Sequence, residues 1–457
     1  MLARQPRRAH IGAGACDSAP IAISIAISIA ISIAISIAIS IAIPIAIPIA
    51  IPMPTPPPRL PLSLSDLRGL SRLGFDATLG ITGVVEQMHR TIGERAAPLG
   101  APVAGRTGGL TGAVYAAVRG TTRLAGKGTD TLLRLLEPLG SAAPESLERA
   151  AVLAAINGIW GDHLEASANP LAIAMSLRVQ GRALELNAPQ LQAALPGAGR
   201  RVAVLVHGLA MNDLQWLRQG HDHGALLANE LGCTVLYLRY NSGAHVSVNG
   251  ERLAALLEAL AANWPLTLDE LVLVGHSMGG LVARSACHVA EAQGLAWRAK
   301  LGALVCLGTP HHGALLERGG HRLDRLLDVS PYVAPFARLG KARSAGITDL
   351  RYGNVQRADW EGRSAHDQKR DDRRPTPLPA GVPVHLLAAT TSASPAGLRH
   401  ALVGDGLVTL ASAWGEHRDP ALALQVPAAH KELITQANHW DLLSRPEAAD
   451  ALRRWLA

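Results

Sequence analysis

The segment Leu271-Val-Leu-Val-Gly-His-Ser-Met-Gly-Gly280 constrains the fold more than any other stretch of this chain. Four apolar residues run straight into Gly275-His276-Ser277-Met278-Gly279, and a helical pattern follows to about Ala292. A buried strand that turns at once into a helix forces the central residue into a strained backbone conformation. Glycines on either side leave the neighbouring strand and helix room to close in. The serine hydroxyl then stands at the C-terminal end of the strand, where the helix N-terminus favours developing negative charge. Ser277 is therefore the candidate nucleophile. A glycine-rich strand-to-helix turn without chemistry is the plainer reading.

The rest of the C-terminal half repeats the same rhythm. Ile173 to Leu186 alternates like an early strand pair. Val202 to Val206 is a strand running into His207-Gly208-Leu209. Thr234 to Tyr240 follows, then a helix from about Asn249 to Ala262, then the Leu271 strand. Leu301 to Leu307 leads into Gly308-Thr-Pro-His-His-Gly313, and Val382 to Ala388 and Ala421 to Val426 close the series. Apolar runs separated by helical crossovers predict an α/β protein with a mostly parallel sheet covered on both faces by helices. Between residues 313 and 381 the rhythm breaks. Leu323 to Leu327 and Tyr332 to Leu339 read as short helices, and Glu361 to Pro379 as a charged loop that no core would take. An insert at this place in such a sheet suits a lid; a disordered surface loop fits residues 361–379 as well.

The N-terminal third is of another kind. Ile occupies every odd position from Ile21 to Ile51, and no charge falls between Asp17 and Arg59. The length suits a membrane span and the basic front end suits a signal peptide. The period of two, however, is a strand pattern, and the four-residue repeat marks low complexity. A non-structural or mis-started leader with Met53 as an alternative start, a membrane anchor and a cleaved signal all stay open. Residues 52–61 form a Pro-rich linker, so that 1–61 reads as leader and linker. Residues 62–165 read as a helical region, with Ser65-Asp66 as a cap, and 166–457 as the α/β domain. Arg119, Arg123, Lys127 and Arg134 line an apolar stripe in Leu110 to Leu136 that Asp130 alone opposes before Glu137. Two roles fit: a subdomain packed on the α/β domain, or a basic amphipathic surface resting on membrane lipid.

Composition bounds the partners. The chain has 457 residues and a net charge of +7, with no basic run interleaved with aromatics, which argues against nucleic acid. Cys16, Cys233, Cys287 and Cys306 show no metal or disulfide spacing; the last three sit in apolar segments as buried thiols. Nothing demands an oxidising compartment, and a cytoplasmic or membrane-associated location fits better than secretion.

A serine hydroxyl needs a base within hydrogen-bond reach, and the base needs a group that holds its tautomer. In sheets of this type the order along the chain is serine, acid, histidine. After Ser277, Gly404-Asp405-Gly406-Leu407-Val408 places a carboxylate between small residues, and Asn438-His439-Trp440-Asp441 opens a terminal helix. Asp405 and His439 are thus the candidate acid and base. Together with His207-Gly208, the elbow and Gly308-Thr309-Pro310-His311, these motifs resemble the α/β-hydrolase superfamily, and within it bacterial lipases and the related inositol-deacylase-like serine esterases. The resemblance covers about residues 170–457. It implies hydrolysis of carboxylic esters, lipid-like ones included, through an acyl-enzyme, with Ser277 as nucleophile, Asp405 as acid and His439 as base. It further implies an oxyanion hole made by the backbone N–H groups of Leu209 and Met278. Secreted members bind calcium near the catalytic histidine; Asp441 is suitably placed but has no second ligand, so no metal and no other cofactor is expected.

Alternatives remain. His430 also follows the last expected strand, and Asp349 and Asp359 are further acids, though both fall in the insert. His311 and His312 read as loop residues near a pocket rim, His221-Asp222-His223 as a polar loop, and His276 as packed or hydrogen-bonded locally. A silent hydrolase-fold module that tethers lipid or protein, and a thioesterase or amidase on the same three residues, are the competing functions.

Overall fold

The computed structural model describes residues 62–93, 107–139, 146–314, 343–363, 371–393 and 404–457. The Ile-rich leader, the linker, Cys16 and the short helices expected at 323–339 lie outside the described residues. The chain forms two compact units, Met1–Ala143 and Pro144–Ala457. No helix among the described residues is long and apolar enough to cross a membrane.

In the first unit, α1 (Leu64–Gly93) and α2 (Gly109–Leu136) form a pair. The cap of α1 sits two residues earlier than Ser65. Ser63 Oγ accepts from Asp66 N at 3.1 Å, and Asp66 Oδ2 accepts from Ser63 N at 2.9 Å, so both orphan donors are satisfied. The two helices are joined by charge. Arg68 Nε donates to Asp130 Oδ1 at 2.7 Å, and Arg119 pairs with the buried Glu86.

The second unit opens with α3 (Leu147–Ala166), a helix that the sequence pattern groups with the first. Its side chains explain its place. Buried Asn157 donates to Leu171 O at 2.7 Å and accepts from Ile173 N at 2.9 Å. Gly158 lies so close to Ala210 that a β-carbon there would sit 2.7 Å from Ala210 Cβ. A hairpin of β1 (Ser176–Val179) and β2 (Arg182–Ala183) and the short α4 (Ala188–Ala194) follow. Then come β3 (Arg201–Val206), α5 (His223–Leu231), β4 (Thr234–Arg239), α6 (Val246–Asn263), β5 (Glu270–His276), α7 (Met278–Gln293) and β6 (Leu301–Leu307). The described chain ends with α8 (Ala345–Asp349), β7 (Val384–Thr390), α9 (Leu410–Ala413), β8 (Lys431–Thr435) and α10 (Pro446–Leu456).

These strands form one sheet in the order β2-β1-β4-β3-β5-β6-β7-β8, parallel from β4 to β8 with the β1–β2 hairpin antiparallel at one edge. Period two decides the layers. Val202, Val204 and Val206 of β3 face a core with Leu253, Leu257 and Leu281. Ala203 and Leu205 face the opposite core with Leu227, Leu452 and Leu456. Both faces are covered, as the strand composition predicts.

The last strand differs from expectation. Residues 421–426 form no strand, and β8 runs over Lys431–Thr435. Leu424 instead turns into the body, where its N–H donates to Gly415 O at 2.8 Å. The described parts of the insert are also fastened rather than loose. Asp349 accepts from Val246 N at 2.8 Å and from Asn354 Nδ2 at 3.0 Å. Arg373, expected in a loop that no core would take, pairs with Asp371 at 2.8 Å and donates to His311 O and Gly353 O, each at 3.0 Å.

Candidate active site

The elbow is built by steric exclusion. Ser277 has φ 54° and ψ −125°, a conformation that costs roughly 1–3 kcal/mol for a residue with a side chain. Its surroundings hold it there: its N–H donates to Leu307 O at 2.8 Å, and its carbonyl accepts from Gly280 N at 3.1 Å. A β-carbon on Gly279 would lie 2.1 Å from Val206 O, and one on Gly275 would lie 2.5 Å from Gly280 Cα. Only bare backbone lets β3, β5 and α7 meet this tightly. Ser277 is left 8% exposed at the carboxyl end of β5.

His439 and Asp405 come together there from the far end of the chain. His439 Nδ1 lies 2.6 Å from Asp405 Oδ2, and both side chains are buried. The other carboxylate oxygen accepts from Leu407 N at 2.9 Å and Val408 N at 2.8 Å. A carboxylate only accepts, so the proton of a neutral His439 sits on Nδ1 and Nε2 keeps its lone pair. The acid's turn is closed by its own backbone and clipped to β7, where Thr391 N donates to Gly404 O at 2.9 Å. Gly308, next to the Leu307 that holds Ser277, lies against the imidazole; a β-carbon there would be 3.2 Å from His439 Cε1. Ser277 and His439 thus flank the same end of β6. Their side chains are not hydrogen-bonded to each other here, as is common where no substrate draws such a pair together.

Leu209 and Met278 follow Gly208 and Ser277 in the chain. Gly208 abuts the serine, since a β-carbon on Gly208 would be 3.0 Å from Ser277 Cβ. Met278 is the first residue of α7, where a helix leaves its N–H without an internal acceptor. Leu209 N–H donates to no described residue, while the next residue, Ala210, donates to Ser242 Oγ at 2.9 Å.

Two further histidines support this end of the sheet. His276 packs, as the sequence allows, against His439 and Trp440, but its hydrogen bond is not local. Its Nε2 donates to the carbonyl of His439 at 3.2 Å, 163 residues away, with the rings 4.8 Å apart. Burial first, and His439 second, hold its pKa well below the ordinary value, so it stays neutral. His223 donates from Nε2 to Leu442 O at 2.8 Å, and its Nδ1 lies 2.9 Å from His221 Nε2. Burial lowers the His223 pKa to about 4. Asp222, between them, caps α5 through Gly224 N at 2.8 Å. The spacing of a histidine immediately before the elbow serine is visible in the sequence; its partner is not. His207 stacks on Tyr240 at 4.3 Å and is lowered to about 3 by burial.

The other candidates lie elsewhere. His430 stands against His385 at 4.5 Å, near the start of β7, away from the carboxyl ends where Ser277 sits. Asp349 and Asp359 are both buried; Asp359 accepts from Val355 N and Gln356 N at 3.0 and 2.9 Å. His311 and His312 are buried in the turn after β6, where Arg284 lies 3.2 Å from His311 Nδ1 and Arg373 3.1 Å from His312 Nδ1. Asp441 accepts from Asn438 N at 2.8 Å in its own turn. Among the described residues no three His, Cys, Asp or Glu side chains group as metal ligands. Cys233, Cys287 and Cys306 are buried free thiols.

Sheet order, crossovers and elbow give the chain the α/β-hydrolase fold. A family model described as "PGAP1-like alpha/beta domain" matches residues 200–360, a span that holds Ser277 but neither Asp405 nor His439. Among solved structures, the mature lipase BlEst2 of Bacillus licheniformis is similar at 18% identity and a TM-score of 0.39, over 62% of this chain and 98% of that one. The Pyrococcus furiosus esterase Pf2001 is similar at 15% identity and a TM-score of 0.33, over 57% and 84%. The type II thioesterase YbtT of a yersiniabactin pathway is similar at 17% and 0.34, over 57% and 93%. No curated protein matches the chain in sequence. No residue role follows from these likenesses.

Proposed function

We propose that the chain is a serine hydrolase acting on carboxylic esters, lipid-like ones among them. The observation that carries the reading is the 2.6 Å contact of His439 Nδ1 with Asp405 beside the strained Ser277. Ser277 Oγ attacks the ester carbonyl carbon as His439 Nε2 takes its proton. The new C–O bond leaves a tetrahedral oxyanion facing the N–H groups of Leu209 and Met278. The bond to the alcohol oxygen then breaks, and His439 returns the proton to the leaving alcohol. Water, deprotonated by the same imidazole, releases the acid and restores Ser277. The Asp405 carboxylate orients His439 and offsets its transient charge. The neutral His207 and His276 nearby are poor rivals for the base, since burial keeps them from taking a proton. Fluorophosphonate labelling of the purified chain tests this. Label on the wild type and none on Ser277→Ala is the expected result; equal labelling of both overturns it. Rates on p-nitrophenyl esters of graded chain length then define the acyl group, with a long-chain optimum expected for a lipid substrate.

A further inference from the structure

The α1–α2 hairpin packs Phe75 against Gly126 and buries Leu133, but it also encloses polar groups and leaves much of its apolar surface outside. Between its helices it buries Arg119 with Glu86, and it buries Thr82 and Thr122. On its outside it carries large apolar side chains: Leu124 is 75% exposed, Leu135 67%, Ile81 64%, Val84 58% and Leu132 57%. A helix pair of this length normally does the opposite. Leu124 and Leu135 are eleven residues apart and share one face, with Leu132 beside them.

Charge decides what this face suits. Arg123, Lys127 and Arg134 recur at helical spacing, are exposed, and form a row alongside the leucines. None of the three makes a salt bridge among the described residues. Asp130 is the one acid of α2, half-buried and paired with Arg68. The outer face of α2 is therefore apolar along one row and cationic along the next, with the partly exposed Asp130 its one carboxylate, held by Arg68.

We propose that the outer face of α2 docks on an anionic lipid surface. The leucines enter the boundary between headgroups and acyl chains, and the three cations lie at the level of the phosphates. Neither helix needs to cross the bilayer. The inference stands apart from the ester chemistry, because docking does not require Ser277, Asp405 or His439.

Flotation of the full chain with vesicles of phosphatidylcholine and phosphatidylglycerol tests it, with pure phosphatidylcholine alongside. Binding is expected to the anionic vesicles and to weaken with salt. Arg123→Gln, Lys127→Gln and Arg134→Gln together are expected to lower partitioning about 100-fold. Leu124→Ser with Leu135→Ser is expected to lower it at least about 100-fold as well. Circular dichroism and hydrolysis of a water-soluble ester should be unchanged in both variants, since none of these side chains is buried. Failure of the wild type to float, or equal flotation of wild type and variants, overturns the proposal. So does a change of oligomeric state in the leucine variant without vesicle binding, which makes a second copy the occupant.

Discussion

Replacing Asp405 by Asn separates orientation from charge at the candidate active site. The carboxylate accepts three hydrogen bonds: Leu407 N and Val408 N on one oxygen, His439 Nδ1 on the other. An Asn side chain has one acceptor and one donor end. The two backbone N–H groups hold the amide oxygen, because turning it away would leave both donors buried and facing an NH2. That costs about 1–3 kcal/mol for each orphaned group, or about 2–6 kcal/mol together. The amide nitrogen therefore faces His439, whose Nδ1 must give up its proton in order to accept. The proton moves to Nε2, and the one nitrogen able to serve Ser277 is no longer a base. Loss of the right tautomer costs about 10⁴ in kcat in triads of this kind, close to 5 kcal/mol in the barrier. Little stability should be lost, since all three positions remain hydrogen-bonded. The assay is p-nitrophenyl ester hydrolysis by full-length wild type and Asp405→Asn, with a thermal melt of each. A variant within tenfold of the wild type, at equal Tm, would refute the assignment of Asp405 and His439.

Three further outcomes can be checked directly. His276→Leu removes the donor to the His439 carbonyl and should lower kcat about tenfold with KM little changed, while His276→Gln, which can still donate, should recover most of it; equal loss in both would mean that packing alone matters. Gly279→Ala puts a β-carbon 2.1 Å from Val206 O, where rigid backbone cannot yield, and should cost at least about 3 kcal/mol in denaturant unfolding. His207 and His223 have folded pKa values lowered to about 3 and about 4, so the unfolded chain binds their protons first as pH falls below 6.5. Their stabilising contribution is complete above that pH and is lost toward 4 and 3, roughly 1 kcal/mol for each between pH 7 and 5.5. A Tm that does not fall over that interval would contradict their burial as neutral groups.

The sequence was most readable where one strong signal is local. Val202 to Val206, Leu271 to Val274 and Leu301 to Leu307 are buried on both faces, so branched apolar runs announce them. Small neighbours and order along the chain single out Asp405 and His439 before any contact is seen, and the two side chains do meet, at 2.6 Å. β8 was not readable, since Lys431 and Glu432 open an edge strand in which Ile434 alone is buried. The more apolar residues 421–426 imitate it. α1 runs on through Gly80 and Gly83, although glycine is a poor helix former and nothing lies within 4 Å of where a β-carbon would stand at either position. The reach of His276 to residue 439 and of Asn157 to Leu171 and Ile173 depends on chain closure, which no local pattern records.

The clip between Thr391 and Gly404 has a consequence for how the acid is held. Its two ends are tied to each other immediately before the acid, and Asp405 N donates to Val408 O at 3.3 Å to close the following turn. Ser392, next to the clip, accepts from Gln436 N at 3.2 Å, so the same strand end is also tied to the segment that follows β8. The carboxylate is thereby aligned by the end of β7 as well as by its own turn, so a shift of that strand end is passed on to the residue that orients His439.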